Sequence, residues 1–449
     1  PAHIYETLVH GFTQKNFNGC EEPDLVRWGA HLLVMSGYVL TLVISNLHLL
    51  SPLDNHYSVF HPVSLLVDEQ GVRFLDASAL WGRDAFETTD ALLASAPKGA
   101  GAMVIGPAGE NLAAAACIKS DRWRSCGRGG MGAVLGAKQV KGLAFAGSRR
   151  AEVADPQGLQ ELVKAAAAKG RELPSTEAYQ KLGTPMMVAL NAKFQSFPTR
   201  YWQKGYFEKW KNLTPEYMAE HFQIKPSPCP TCFLRCTKHS RILEGRHAGL
   251  ELEGPEYETL AMFGANIGNS NLESIIMAND LCNRYGMDTI SCADTIACAF
   301  ELFEKGIVTE KDTGGLRLEW GDHRAIVKLV EMTGKGEGFG ALVGEGSRRL
   351  TERFGQEARK YAMNVKGMEF PGYDPRGIQG MGLAFATSTR GACHLRATMY
   401  VPELFQGVLD RFTVKGKAKT LKEMQELFTV TDCLILCKFG ARNAFANSW

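Results

Sequence analysis

Pro228-Cys229-Pro230-Thr231-Cys232-Phe233-Leu234-Arg235-Cys236 sets three thiols at C-x2-C-x3-C spacing between prolines. Two cysteines at i and i+3 face one point across a tight turn, and the third comes round on the next turn of backbone. Thiolates at such spacings ligate zinc or an iron–sulfur cluster. Three buried or disulfide-bonded cysteines are the plainer alternative. A three-thiol site lacks one donor, so a fourth is expected elsewhere. Cys433 and Cys437, in Asp432-Cys433-Leu434-Ile435-Leu436-Cys437-Lys438, are both candidates, although lone cysteines on apolar runs are usually core residues.

Around that stretch the chain has an ordinary globular make-up. Its 449 residues suffice for about two to four domains. Hydrophobic content is 45%, charged content 22% and net charge +2, which gives no support for nucleic acid as a partner. The twelve cysteines are scattered, which argues against a secreted disulfide scaffold and for a reducing, cytoplasmic location. No apolar run reaches the roughly 18–20 residues of a membrane span. The nearest, residues 32–44, contains Ser36 and Gly37 and reads as one or two buried strands. The first residue is Pro1, without an initiator Met or signal-peptide pattern, so an incomplete N-terminus is expected.

Upstream of the thiols, short apolar runs at 38–44, 63–67, 72–75 and 102–105 predict strands between Gly, Pro, Asp and Asn turns. Asp68-Glu69-Gln70-Gly71 reads as a hairpin loop, and 140–146 as a last strand. Asp155-Pro156 then pairs an N-cap with proline at the first helical position, opening a helix that ends near Gly170. Beyond it the pattern is mostly helical. Ser270-x-x-Glu273 and Ser291-x-x-Asp294 resemble capping boxes, and Asp322 a cap for a helix closing before Gly334. A glycine-dense section, 367–391, precedes a polar helix around 420–427. The expected division is 1–153, a β-rich domain; 154–360, a helical domain with the cysteines; and 361–449, a third, helical domain. The expected fold class is α+β.

Four further segments have chemical potential. In Arg124-Ser125-Cys126-Gly127-Arg128-Gly129-Gly130-Met131-Gly132, glycines let backbone N–H groups approach an anion and two arginines add phosphate donors. A phosphate-bearing cofactor competes here with a plain glycine-rich turn. Glu251-Leu252-Glu253-Gly254-Pro255-Glu256-Tyr257-Glu258-Thr259 packs four carboxylates; if extended, it puts Glu256 and Glu258 on one face. A buried carboxylate there could act as general acid or base, against a solvated acidic loop. Asn283-Arg284-Tyr285-Gly286-Met287-Asp288 and the segment from Asp432 to Lys438 share an outline, as two halves of a site for two copies of one ligand would. Helix caps are the plainer reading of both. In Gly391-Ala392-Cys393-His394-Leu395-Arg396, His394 could shuttle protons and Arg396 hold an anion, though a lone histidine is more often structural.

Together these pieces resemble the aldehyde:ferredoxin oxidoreductase family, aldehyde-oxidising branch. The matching segments, in the family's order, are RSCGRGGMGAVLGAKQVKG, PCPTCFLRC, GPEYETLAMFGANIG, LCNRYGMDTIS, YDPRGIQGMGLAFATSTRGACHLRA and DCLILCKF. The resemblance implies an N-terminal β-sheet base for the cofactor, followed by two mainly helical domains. It implies a tungsten bis-pyranopterin (tungstopterin), magnesium bridging the pterin phosphates, and a [4Fe–4S] cluster on Cys229, Cys232, Cys236 and Cys437. Arg124, Gly127, Arg128, Gly129 and Gly130, with Asn283, Asp288, Arg396, Asp432, Leu436 and Lys438, would contact the pterins. Asn283 stands where the family's usual pattern has Asp. Glu258 matches the glutamate beside the metal, and His394 the histidine of the CHLRA segment. Residues 1–61 match poorly: RWGAHLLVMSGYVLTLVIS keeps only the outline of a pterin- and magnesium-binding segment. The chain also stops soon after DCLILCKF, where the family continues through the rest of its third domain.

The function so implied is R–CHO + H2O → R–COOH with two electrons and two protons released, reversible in principle. Glu258 would activate water or orient the aldehyde, and His394 would manage the proton. Electrons would leave through the cluster to ferredoxin or an iron–sulfur partner subunit, in an oligomer without a membrane span. The alternatives are a subunit of the same fold that reduces aromatic acyl-CoA thioesters, and a non-catalytic iron–sulfur or zinc protein.

Overall fold

The computed structural model describes residues 61–148 and 152–444. The strand expected at 38–44 and the pterin- and magnesium-binding outline around it lie outside the described residues.

Alternating apolar residues form β1 (Val63–Asp68) and β2 (Gly71–Asp76), paired antiparallel down to Asp68 opposite Gly71. Asp68 Oδ1 accepts the Gln70 N–H at 2.9 Å, which closes the expected two-residue loop. β3 (Gly101–Val104), β4 (Lys119–Ser120), β5 (Arg124–Ser125) and β6 (Val140–Phe145) complete a six-stranded sheet of order β2-β1-β6-β3-β4-β5. β6 is buried along nearly its whole length and pairs parallel with β1 and antiparallel with β3. It is apolar except for Lys141, whose buried ammonium pairs with Glu110, as a central strand covered on both faces requires. Leu65, Ile105, Leu135, Val140 and Leu143 form one small core; Ala85, Leu92 and Val104 form another beneath the helix Ala85–Ser95.

The helix Pro156–Arg171 begins as expected, with Asp155 accepting the Gly158 N–H at 2.9 Å. Two other caps differ from expectation. Leu272–Tyr285 is capped by Asn271, which accepts from Ser274 N at 2.8 Å, and not by Ser270. Asn is as good a cap as Ser and sits next to the first apolar residue, while Glu273 is taken by the His247 N–H at 2.7 Å. Thr289–Glu304 is capped by Asp288 rather than Ser291, and Asp294 lies buried in mid-helix, accepting from Trp202 and Asn266. Every residue of that helix from Ile290 to Leu302 is buried, so it runs through the middle of the large helical core. The next helix, His323–Lys335, is capped by Asp322 as expected but closes at Gly336. Gly334 lies inside it, because a Cβ there would sit 2.2 Å from the Tyr285 ring.

Inside the stretch expected to be helical is a small antiparallel sheet of β7 (Gln223–Pro226), β8 (Lys238–Arg241) and β9 (Glu251–Glu253). The first domain docks through its segment 113–117 against 285–288. Cys117 N–H bonds Gly286 O and Asp288 N–H bonds Ala115 O, both at 2.8 Å. Gly106 permits the approach, since a Cβ there would come within 2.4 Å of the Tyr285 backbone.

Candidate active site and thiol centre

Pro226 pairs with Lys238, so residues 227–237 form the hairpin loop between β7 and β8, and it holds all three thiols of the C-x2-C-x3-C stretch. Cys232 N–H bonds Cys229 O at 3.1 Å, giving the tight turn expected. Thr231 and Arg235, each just before a cysteine, have φ of 60° and 49°. A β-branched residue with positive φ is uncommon, and such strain gathers at functional sites. Cys437 leads into the helix Lys438–Ala444, and its carbonyl takes the Ala441 N–H at 2.8 Å. Burial pushes the Cys236 thiol up to about 12, followed by the nearby charges of Glu256, Cys437 and Cys232. Of the two candidate fourth donors, Cys437 is therefore the one beside Cys236. Among the described residues no three His, Cys, Asp or Glu side chains converge closely enough to hold one metal ion.

The acidic stretch is not extended throughout. Glu251 and Glu253 lie in β9, but Pro255 cannot continue a ladder, and a short helix, Tyr257–Met262, follows. Glu256 and Glu258 accordingly do not share a strand face. Glu256 caps that helix and accepts from the Thr184 hydroxyl. Glu258, in its first turn, accepts the Gly372 N–H on Oε2 at 2.7 Å. Its Oε1 faces Nδ1 of His394 at 3.6 Å, and neither atom has a hydrogen-bond partner. Both side chains are largely buried, 14% and 11% exposed. Burial raises the Glu258 carboxyl to about 7, against the opposing pull of the Gly372 bond and Arg128. Burial, with the charges of Arg128, Arg390 and Lys438, lowers His394 to about 3. Near neutrality the carboxyl is thus poised between its two forms while the imidazole is uncharged. Two buried polar atoms side by side, at a separation too long for a direct bond, are left among the described residues with unused hydrogen-bonding capacity that a polar ligand could use.

A wall of aromatic rings backs this pair. Tyr373 lies 5.8 Å from His394 between ring centroids, stacks on Tyr400 at 4.5 Å, and meets Tyr257 at 5.2 Å. Tyr257 donates to Gly372 O, so the residue whose N–H holds Glu258 is itself fixed.

The glycine-rich loop has Gly127, Gly129 and Gly130 in left-handed conformation, and a Cβ at Gly127 or Gly129 would meet nothing within 4 Å. The loop therefore borders open space. Its arginines are not free. Arg128 is buried and bonds Asp288 Oδ2 (2.7 Å), Ala392 O (2.9 Å), Ser291 Oγ (2.9 Å) and Glu369 O (2.8 Å). Arg124 pairs with Glu253 of β9 at 2.8 Å. Arg128 and Asp288, both expected at a cofactor, hold each other, and Arg124 ties the loop to the thiol-bearing sheet.

At the other end of the same segment, Asn283 is buried; its Oδ1 accepts from Lys119 Nζ at 2.9 Å and its Nδ2 has no partner. In the related segment, Asp432 pairs with Arg396 at 2.9 Å and with Lys438, while Arg396 Nε is buried without a partner. Leu436 is 45% exposed. Asp288 and Arg128 bear electrostatically on Glu258, and Lys438 and Arg128 on His394. The two related segments thus flank the carboxylate–imidazole pair. Lys119, Tyr373 and Tyr400 were not singled out from the sequence. The tyrosines lie near matched motifs, whereas a lone lysine after Ile118 carries no signal.

The family model described as "Aldehyde ferredoxin oxidoreductase, N-terminal domain" matches residues 59–147, and "Aldehyde ferredoxin oxidoreductase, domains 2 & 3" matches 161–448. A tungsten-containing aldehyde ferredoxin oxidoreductase of Pyrococcus abyssi is 37% identical over 387 residues, covering 84% of this chain and 63% of that protein. One from Thermococcus kodakarensis is 36% identical over 384 residues, covering 84% and 62%. The WOR-like subunit of an aliphatic sulfonate oxidoreductase of Pyrococcus furiosus is 28% identical, covering 78% and 60%. Among solved structures, the active site complex BamBC of benzoyl coenzyme A reductase, in complex with 1,5 dienoyl-CoA, shares the fold. Its TM-score is 0.62 at 21% identity, over 82% of this chain and 58% of that one. The chain belongs to the aldehyde ferredoxin oxidoreductase family. It spans less than two thirds of the length of the relatives it matches.

Proposed function

We propose that this protein oxidises an aldehyde to its carboxylic acid at a tungsten bis-pyranopterin. Cys229, Cys232, Cys236 and Cys437 would hold a [4Fe–4S] cluster, which would pass the two electrons on to ferredoxin or an iron–sulfur partner subunit. The observation that carries this reading is the unpartnered pair of Glu258 Oε1 and His394 Nδ1, buried 3.6 Å apart. The residues present suit the cofactor. Asn283 Nδ2 and Arg396 Nε are buried donors without partners among the described residues, and the glycine-rich loop leaves open space at Gly127 and Gly129. When bound, the metal supplies Lewis acidity and accepts the electron pair, chemistry that belongs to the cofactor.

The chain's own part is positioning and proton handling. In R–CHO + H2O → R–COOH + 2H+ + 2e−, a water adding to the carbonyl carbon must lose a proton. Ionised Glu258 takes it on Oε1, and its raised pKa, about 7, makes it a competent base near neutrality. His394, held neutral, keeps a ring nitrogen aimed at the same point and fixes where the water sits. Proton storage thus falls to the carboxyl rather than to the imidazole. The stacked tyrosines close the pocket to bulk water and offer an apolar surface to the aldehyde's side chain.

The test is metal analysis of the purified full-length protein together with an aldehyde panel and a viologen dye as acceptor. Tungsten with iron, and dye reduction that depends on aldehyde, are expected. Iron with neither tungsten nor molybdenum, and no dye reduction, would sink the proposal. An aromatic CoA thioester in the same panel separates out the acyl-CoA reductase reading.

A further inference from the structure

Lys119 is a buried lysine that, among the described residues, bonds no carboxylate, and burial lowers its pKa. It is 1% exposed, its Nζ donates to Ser125 Oγ at 2.6 Å and to Asn283 Oδ1 at 2.9 Å, and neither acceptor carries charge. Its other neighbours are the thiols of Cys117, Cys282 and Cys126, all three pushed up by burial and so protonated near neutrality. The Nζ donates to Oδ1, and that bond sets which way round the Asn283 amide lies. Oδ1 must face Lys119, and Nδ2 must face away. That is the Nδ2 with no partner, on a side chain that is 7% exposed.

The corresponding position of the related segment is Asp432, which receives Arg396 and Lys438. Each segment therefore opens on an oxygen acceptor held by a cation. They differ in what is left over: at Asp432 both carboxylate oxygens are engaged, Oδ2 by Arg396 and Oδ1 by Lys438, whereas Asn283 keeps an N–H donor. We propose that Lys119 is a positioning residue that locks the Asn283 amide with its N–H directed into the cofactor site, so that this half of the site recognises a hydrogen-bond acceptor on the pterin where a carboxylate would demand a donor. The proposal rests on the pterin reading given above. It makes the two halves of the site chemically unequal, one carrying an N–H that seeks an acceptor and the other a carboxylate already engaged by two cations, although the two ligands they would hold are alike.

The test measures pterin released per chain, by fluorescence after denaturation, from full-length protein isolated with its cofactor and passed through gel filtration. Asn283→Asp keeps the shape and turns the Lys119 bond into an ion pair, so the fold is held at least as firmly. Only the donor is lost. Pterin retention is expected to fall by about fivefold, the worth of one neutral hydrogen bond, with the melting temperature unchanged or raised. Lys119→Met frees the amide to turn and should lower retention as well. Combined with Asn283→Ala it should lower retention no further than Asn283→Ala alone, because Lys119 acts through the amide. Full retention in Asn283→Asp, or additive losses in the double variant, overturns the proposal and leaves Lys119 a packing residue. Absence of pterin from the unaltered protein overturns the parent reading and this proposal with it, a result distinct from either of those.

Discussion

Glu258 has to ionise in a place that resists ionisation. Its folded pKa of about 7 lies above the ordinary 4.5, so the folded chain holds this proton more tightly than the unfolded one. Its contribution to stability is complete below about 4.5 and is lost as pH rises through about 7. Glu258→Gln cannot ionise. It is predicted to be more stable than the native protein by up to about 3 kcal/mol above neutrality, from about 1.4 kcal/mol per unit, while aldehyde oxidation falls by about 100-fold or more. Melting curves at acid and alkaline pH, beside dye-reduction rates, check both halves. Native activity should rise with pH through about 7, the ionisation of the base. His394 runs the other way: its pKa is depressed to about 3, so its contribution is present above 6.5 and is lost as pH falls toward 3. His394→Gln should therefore resist acid better than the native chain. The role of Glu258 was legible only through the family match, since its own neighbourhood in sequence reads equally as a solvated loop. Gly372 and His394, which form its surroundings, are far along the chain.

Elements were legible where local chemistry is strong and misread where two good caps compete. Asp155-Pro156, Asp322 and the hairpin after Asp68 behave as their residues require. Ser270 lost to Asn271, and Ser291 to Asp288, because each true cap stands closer to the first helical residue. Asn271→Ala is predicted to cost about 1 kcal/mol and Ser270→Ala almost nothing, read as denaturation midpoints. The strands β7 and β8, Gln-Ile-Lys-Pro and Lys-His-Ser-Arg, carry no apolar alternation and were invisible for that reason. Their pairing nonetheless turns a run of cysteines into a loop that presents three thiols together. Cys437→Ser should lower iron per chain and bleach the broad visible absorption of a cluster, whereas Cys433→Ser, at the end of the preceding helix, should leave both intact.

Across the whole molecule, the sheet domain and the helical core meet along the segment 283–288, gripped at one end by Lys119 and at the other by Arg128. Sequence could suggest that this segment mattered; it could not show that both partners lie in another domain, because neither contact is local. The seam has no spare room. Gly106→Ala would drive a Cβ into the Tyr285 backbone, and a loss of about 1–3 kcal/mol is expected from such overpacking. Arg128→Met, which leaves Asp288 without its buried partner, should cost about 3–5 kcal/mol. Chemical unfolding of each variant measures the two losses. The thiol centre joins remote parts of the chain in a similar way, and that governs how the protein is made. Cys229, Cys232 and Cys236 leave the ribosome together, but Cys437 follows only after the core helix Thr289–Glu304 and the His394 segment have been synthesised. A cluster loaded onto a nascent chain would keep one iron open, and translation that stalled before Cys437 would leave it so. On the cluster proposed above, coordination by all four thiols would therefore wait for the synthesis of Cys437.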